Sequence, residues 1–234
     1  MKKPRVAFTP CDNTPQNLRF FEQMKNSLRK FHSEEELPLL KFDNPTQDRQ
    51  FWYRATPQIA KDLIKEYEMV LKLDCDQIFL SSIAHILEDR DNYDVGTVLN
   101  DLSLRVWDIE TYSNCGLVVM KSEEFINHWW RLCNTPHFLR YQYREQDLLS
   151  ILTSDYFNYR VKCFDDSDKW HGLIAKPFWP QFILKDKKVI LESPKGEKEL
   201  CVIHFAGGDD PTKGNFRVRF KPEIVKYIEE MIKP

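Results

Sequence analysis

The sequence predicts an α/β fold in which a central mixed, mostly parallel sheet is flanked by helices, and three observations carry that expectation. The chain opens strand, loop, helix. Residues 5–9 are a short apolar strand, 10–15 a proline-bounded loop, and Leu18, Phe21, Met24, Leu28 and Phe31 recur at helical spacing over 16–31. The run MVLKL that ends before Asp74 has almost no polar alternation, as expected of a strand covered on both faces. SNCGLVVM, residues 113–120, repeats that pattern after its glycine and is rich in β-branched residues.

The remaining elements follow in order. A strand is expected over 37–42 and a helix over 56–67 with Pro57 in its first turn, before the aspartate-bearing strand. Ser81 or Ser82 caps a short helix reaching Leu87, and 94–99 is another strand. Helices follow over 123–134, where one of Trp129 and Trp130 belongs to the core, and over 145–152. Residues 160–164 read as extended and 165–182 as irregular and aromatic. Residues 189–191 and 200–205 read as paired strands joined by a turn near 194–196, and 221–233 as a final helix with Pro222 early in it.

Composition narrows the classes of function. With 42% hydrophobic and 13% aromatic residues the chain is globular, and a net charge of −2 gives no reason to expect a nucleic-acid partner. Cys11, Cys75, Cys115, Cys133, Cys163 and Cys201 are scattered without a Cys-x-x-Cys pair, which suits reduced thiols and a cytoplasmic setting. The basic start is followed by too few apolar residues for a signal-peptide core, and no apolar run is long enough to span a bilayer. The first glycine is Gly96, so no glycine-rich phosphate loop or dinucleotide fingerprint lies near the start.

The most informative chemistry is Asp74 and Asp76, one residue apart at the carboxyl end of an apolar strand. If the strand continues, both carboxylates share a face and Cys75 takes the other. Ligands of α/β sheets sit at that edge. Neighbouring carboxylates repel unless a cation lies between them, and a divalent ion carrying the diphosphate of a nucleotide-sugar satisfies the pair; a solvated loop is the plainer alternative.

Asn114 and Gly116 mark either a simple turn or a place where a ligand approaches the backbone. Glu145, Gln146 and Asp147 open a helix, whose dipole accounts for one acid but not for three bunched polar groups. His204 ends an apolar run and is followed by Gly207, Gly208, Lys213 and Gly214, a natural clasp for a diphosphate. Imidazole with two carboxylates suits Mn²⁺. Trp170, His171 and Trp179 offer a flat face to an acceptor sugar or are buried packing, and Asp165, Asp166 and Asp168 read as a solvated acidic loop.

Taken together, LKLDCD, SNCGLVVM, REQDLL and IHFAG followed by Lys213 resemble the nucleotide-sugar-dependent glycosyltransferases of the GT-A fold, within them the glycogenin-like retaining group. The resemblance runs from the 5–9 strand to Lys213. It implies that Asp74, Asp76 and His204 bind Mn²⁺, with Mg²⁺ as the alternative, and that the ion bridges the diphosphate of a UDP-sugar. Gly207 and Lys213 would contact the phosphates, and Thr9 and Asp12 would lie near the uridine. Asn114, Gly116, Gln146 and Asp147 would surround the donor sugar.

The implied reaction moves a hexose or pentose to a sugar or other hydroxyl acceptor. Gln146 or Asp147 would lie beneath the anomeric carbon if configuration is retained, and Asp147 or Glu145 would act as base if it is inverted. A single domain over 1–234 is expected, with a donor half over about 1–120, an acceptor and catalytic half over about 121–220, and the helix 221–233. The chain departs from the family by lacking the lysine-proline-tryptophan ending after Lys213 and by placing Cys75 between the aspartates. Three rivals stand beside this reading: a haloacid-dehalogenase-type phosphatase using Asp74 and Asp76, a sugar-nucleotide pyrophosphorylase, which would need a glycine-rich loop after its first strand, and a non-catalytic carbohydrate-binding relative. The first favours Thr or Val where Ile78 stands.

Overall fold

The computed structural model describes residues 2–46, 49–99, 112–136, 140–141, 144–166, 169–173, 182–193, 196–205 and 220–234. The chain begins β1 (Lys3–Cys11), α1 (Pro15–Arg29), β2 (Leu39–Asp43), α2 (Arg49–Leu63), β3 (Tyr67–Leu73), β4 (Gln77–Phe79) and α3 (Ala84–Leu87). It continues β5 (Val95–Leu99), β6 (Ser113–Met120), α4 (Glu123–Cys133), α5 (Glu145–Leu152), β7 (Val161–Cys163), a 3₁₀ turn (Phe164–Asp166) and β8 (Lys169–Leu173). β9 (Phe182–Lys185), β10 (Lys188–Ser193), β11 (Gly196–His204) and α6 (Pro222–Met231) complete it.

Two sheets organise these elements. The first has the order β2-β1-β3-β6-β5-β7, parallel at β1/β2, β1/β3 and β5/β7 and antiparallel on both sides of β6. The second has the order β4-β11-β10-β9, with β8 pairing parallel to β11. The chain passes from the centre of the first sheet to the edge of the second between β3 and β4, across residues 74–76.

Alternation along the central strands explains the apolar runs. Val6, Phe8, Val70, Val118 and Met120 pack with Ile64 of α2's end, Phe125, Ile126 and Trp129 of α4, and Leu148 and Leu149 of α5. Their strand neighbours Ala7, Met69, Leu71, Leu117 and Val119 pack the opposite way, with Phe21, Met24 and Leu28 of α1 and with Phe79 and Val202 of the second sheet. Both faces of the sheet are therefore covered, and the strands carry few polar residues. A third cluster joins Ile78, Phe182, Leu200 and Ile203 of the second sheet to Ile224, Val225 and Ile228 of α6.

Most expected elements fall where the periodicity puts them, but β4 was not expected, and α3 is N-capped at Ile83 and not at Ser81 or Ser82, with no side-chain cap bond. There are three further differences. α2 starts at Arg49, so Pro57 lies inside the helix and not in its first turn. An interior proline removes one backbone hydrogen bond and costs about 3 kcal/mol. Packing of Tyr53, Ile59 and Leu63 onto the core offsets that cost. Within the supposedly irregular stretch, β8 forms because β11 offers it a parallel edge. The β9–β10 hairpin turns at Asp186 (φ 51°) and Lys187 (φ 59°), two left-handed residues without the Gly or Asn that announces such turns. No disulfide joins the six cysteines. Among the described residues, no helix is long and apolar enough to cross a membrane.

Candidate functional site

Asp74 and Asp76 sit in the turn between β3 and β4. Their convergence comes from that turn and not from a continuing strand, which corrects the extended-strand reading. The turn is strung between the sheets: the Asp74 N–H donates to the Gly116 carbonyl of β6 (2.9 Å), and the Phe205 N–H donates to the Asp76 carbonyl (3.0 Å). His204, at the end of β11, completes the cluster. Its Nε2 lies 3.3 Å from Asp74 Oδ2 and 3.2 Å from Asp76 Oδ1.

The residues behind His204 set its orientation. Nδ1 lies 3.2 Å from the Asn114 side-chain oxygen, which also accepts the Gly116 N–H at 2.6 Å. A Cβ on Gly116 would stand 2.4 Å from both Nδ1 and Cε1 of His204. The glycine thus clears space for the imidazole, where the sequence suggested the close approach of a ligand. Asn114 likewise orients the histidine from a buried position.

Charge around the turn is balanced by Lys72, which the sequence reading passed over. It is buried in β3, donates to the Cys115 carbonyl (2.5 Å) and pairs with Asp74. Burial opposes its charge, but Asp74 outweighs that and raises its pKa. Burial also opposes ionisation of Asp74, yet Lys72 and His204 hold its carboxyl far below the usual range. For His204, burial disfavours the cation, while Asp76 and Asp74 push the imidazole up to about 9. A positive group between the two acids is therefore favoured.

The donor set fits a divalent ion. One oxygen from each acid and the imidazole nitrogen lie within 4.8 Å of one another. A proton on Nδ1 facing Asn114 leaves the Nε2 lone pair directed at the acids, as a metal-bound histidine requires. Oxygen with nitrogen suits Mn²⁺, and Mg²⁺ accepts the oxygens.

Asp74 and Asp76 lie on the wall of a cleft of about 1210 Å³ whose lining also includes Asp12, Asn44, Trp52, Lys72 and Glu145, and His204 is buried beside them. Asp12 Oδ1 accepts from Trp52 Nε1 (2.6 Å) and Asn44 Nδ2 (2.9 Å), so it is a fixed part of the wall. Asn44 and Trp52 carried no recognisable signal in the sequence. Thr9 is not on the wall. It is fully buried, and its hydroxyl donates to the Leu73 carbonyl, tying β1 to β3.

The polar residues opening α5 divide their tasks. Gln146 accepts the Cys115 N–H (3.1 Å), and the buried Asp147 accepts from the Tyr112 hydroxyl (2.6 Å). Glu145 borders the cleft, and its Oε2 is buried without a hydrogen-bond partner. Burial, with Asp74 and Asp147 adding to it, pushes the Glu145 carboxyl up to about 8. The helix begins directly after Arg144, held at φ 51°, and the Trp129 indole donates to the Glu145 carbonyl (3.1 Å). Such a strained backbone costs on the order of 1–3 kcal/mol and is found beside functional sites.

Gly207, Gly208, Lys213 and Gly214 lie outside the described residues, as do Trp107, Asp168 and Trp179. His171 and Asp165 are buried, so neither serves as an exposed sugar platform or a solvated acidic loop.

The arrangement of strands and helices is the GT-A fold expected from the sequence. A glycosyltransferase involved in glycosylation of the major capsid of PBCV-1 superposes with a TM-score of 0.61 over 97% of this chain and 98% of its own, at 13% identity. The galactosyltransferase LgtC, in complex with donor and acceptor sugar analogs, gives 0.63 over 97% and 95%, also at 13% identity. For the glycosyltransferase GlyE of Streptococcus pneumoniae TIGR4 the values are 0.63, 100% and 61%, at 15% identity. No protein-family model matches the chain, and no curated protein matches it by sequence.

Proposed function

We propose that this chain is a glycosyltransferase that moves a hexose or pentose from a UDP-sugar to a sugar or other hydroxyl acceptor, with Mn²⁺ or, as the alternative, Mg²⁺, and with retention as in the glycogenin-like group. The observation that carries the reading is the convergence, in a GT-A fold, of Asp74 and Asp76 on the wall of a large cleft with the buried His204 at 3.2–3.3 Å from both. The ion held there would supply positive charge to the diphosphate oxygens as the bond to the anomeric carbon breaks.

The chain's own residues do the rest. Lys72 fixes one carboxylate oxygen of Asp74, and Asn114 and Gly116 fix the ring of His204. Asp12, with Trp52 and Asn44, forms the wall proposed for the uridine. Glu145 is the proposed partner of a sugar hydroxyl or the base toward the acceptor, because it borders the cleft with an unpartnered oxygen. A place for Gln146 or Asp147 beneath the anomeric carbon would require them to exchange their bonds to Cys115 and Tyr112. Gly207 and Lys213 remain the proposed phosphate contacts.

A thermal-shift panel of nucleotide sugars, with Mn²⁺ and again with chelator, tests this reading together with UDP release. A UDP-sugar should raise the melting temperature in Mn²⁺ alone, since only the native state binds it. Stabilisation without any release of UDP, by hydrolysis or transfer, would leave the carbohydrate-binding relative. A panel without response would reject the donor site.

A further inference from the structure

A second group of ligating side chains lies away from the cleft. His85 of α3, His171 of β8 and Cys201 of β11 bring two imidazole nitrogens and a thiol sulfur within 4.8 Å of one another. The two Nε2 atoms face each other at 2.8 Å, and the rings lie 4.9 Å apart, tilted by 34°. His171 and Cys201 are buried, and His85 is half-buried at the edge of α3. The residues come from three elements, and 86 positions of sequence separate the two histidines.

Three features distinguish this cluster from a chance contact in the core. First, the register of β11 against β8 slips at Cys201: Leu200 pairs with Trp170, but Val202 pairs with the very next residue, His171. The extra residue is Cys201. A bulge re-aims a side chain, and this one puts the thiol beside the histidine of the neighbouring strand. Second, Asp165 stands behind His171. One of its oxygens accepts the His171 backbone N–H at 2.8 Å and lies 3.5 Å from Nδ1. Nδ1 itself makes no hydrogen bond here, and a proton on it would face that carboxylate and leave Nε2 as a ligand, as in zinc-bound histidines with an outer carboxylate. Third, the donors are chemically matched. Two neutral imidazoles and one thiolate suit Zn²⁺, whereas the Asp74, Asp76 and His204 set, with two hard oxygens, suits Mn²⁺.

We propose that His85, His171 and Cys201 form a zinc site that fastens α3 and β8 to β11. Binding releases the Cys201 thiol proton to solvent and leaves both rings neutral, protonated on Nδ1. A tetrahedral zinc with Zn–N near 2.0–2.1 Å sets its nitrogen ligands about 3.3 Å apart, so binding asks the two rings to separate by roughly half an ångström from 2.8 Å. Three protein donors leave a fourth position for water. Because β11 also carries His204, the site braces the strand on which the cleft's histidine is mounted.

Cobalt titration of the reduced full chain tests the proposal. Only a thiolate ligand produces the near-ultraviolet sulfur-to-cobalt charge-transfer band, so Asp74, Asp76 and His204 are silent in this readout, and a band from Cys75, which lines the cleft, would survive Cys201→Ser. The band should saturate at one equivalent of Co²⁺, disappear on addition of Zn²⁺, persist in Asp76→Asn, and be lost in Cys201→Ser and His171→Gln. Should a buried variant fail to fold, His85→Gln on the half-buried α3 position decides, with circular dichroism of the metal-free protein as the folding control. In the Asp76→Asn background, Zn²⁺ should raise the melting temperature, and His85→Gln should remove most of that rise. No band in the native chain, or a band undiminished by Cys201→Ser or by His85→Gln, overturns the assignment.

Discussion

The two ligand clusters on β11 make an instructive pair. Asp74 and Asp76 line a wide cleft, with their side chains still 32% and 19% exposed, whereas His171 in the other cluster is 0% exposed at its side chain. The first is built from a turn that leaves one sheet for the other, so its acids reach solvent. The second is built from a bulge inside a sheet, under a helix, so His171 and Cys201 do not and only His85 is half-buried. An open, oxygen-rich site suits an ion that arrives and leaves with a diphosphate, and a closed, sulfur-containing site suits an ion that stays with the fold.

The largest expected effect separates the clusters outright. Asp76→Asn should lower the proposed sugar transfer by roughly 10²–10³-fold or more, the scale seen when one preorganised electrostatic contact to the transition state is removed. Initial rates in saturating Mn²⁺ measure it, with the cobalt–thiolate band unchanged as the control; full activity would remove Asp76 from the metal set.

Next come changes behind the ligands. Gly116→Ala should displace the His204 ring, because the new methyl would stand 2.4 Å from it. Mn²⁺ affinity, read by calorimetry, should fall roughly 10–100-fold, as when outer-shell partners are lost. Asn114→Ala removes the acceptor at Nδ1 and should fall at the lower end of that range. Unchanged Mn²⁺ affinity in both would mean that His204 is not a ligand.

A smaller effect concerns the helix that carries Glu145. Tyr112→Phe strips the buried Asp147 of one hydrogen bond and should destabilise the fold by about 1–3 kcal/mol in urea unfolding. If α5 is merely packed and not tied to β6, stability will not change.

The smallest effect is a control remote from both clusters. Asp94 accepts from the Arg160 backbone N–H and guanidinium, which hold its carboxyl below the usual range. A depressed carboxyl pKa stabilises the fold above the unfolded value of about 3.9 and loses that contribution as pH falls through the folded value. Asp94→Asn should therefore melt slightly below the native chain at neutral pH and level with it in strong acid. Both metal titrations should be unaffected.

How far these features were legible depends on whether their cause is local. β3 and β6 were readable because a strand covered on both faces must be apolar along its length, and α1 because its core face repeats at helical spacing after a proline-bounded loop. Asp74, Asp76 and His204 stood out as polar groups ending apolar runs. Lys72 left a similar mark, a charge within an apolar strand, and was overlooked. Pro57 inside α2 and the glycine-free turn at Asp186 and Lys187 run against local preference, and only packing and pairing decide them.

By itself, then, the chain's residue pattern determined an α/β architecture with a sheet buried on both sides and an acid pair at the end of a central strand, because burial and alternation act over neighbouring residues. Tertiary structure alone decided that Gly116 makes room for an imidazole, that Thr9 seals a strand pair, and that His85, His171 and Cys201 meet. Those outcomes depend on which strands lie side by side and in what register, and register is set by the whole set of pairings in a sheet.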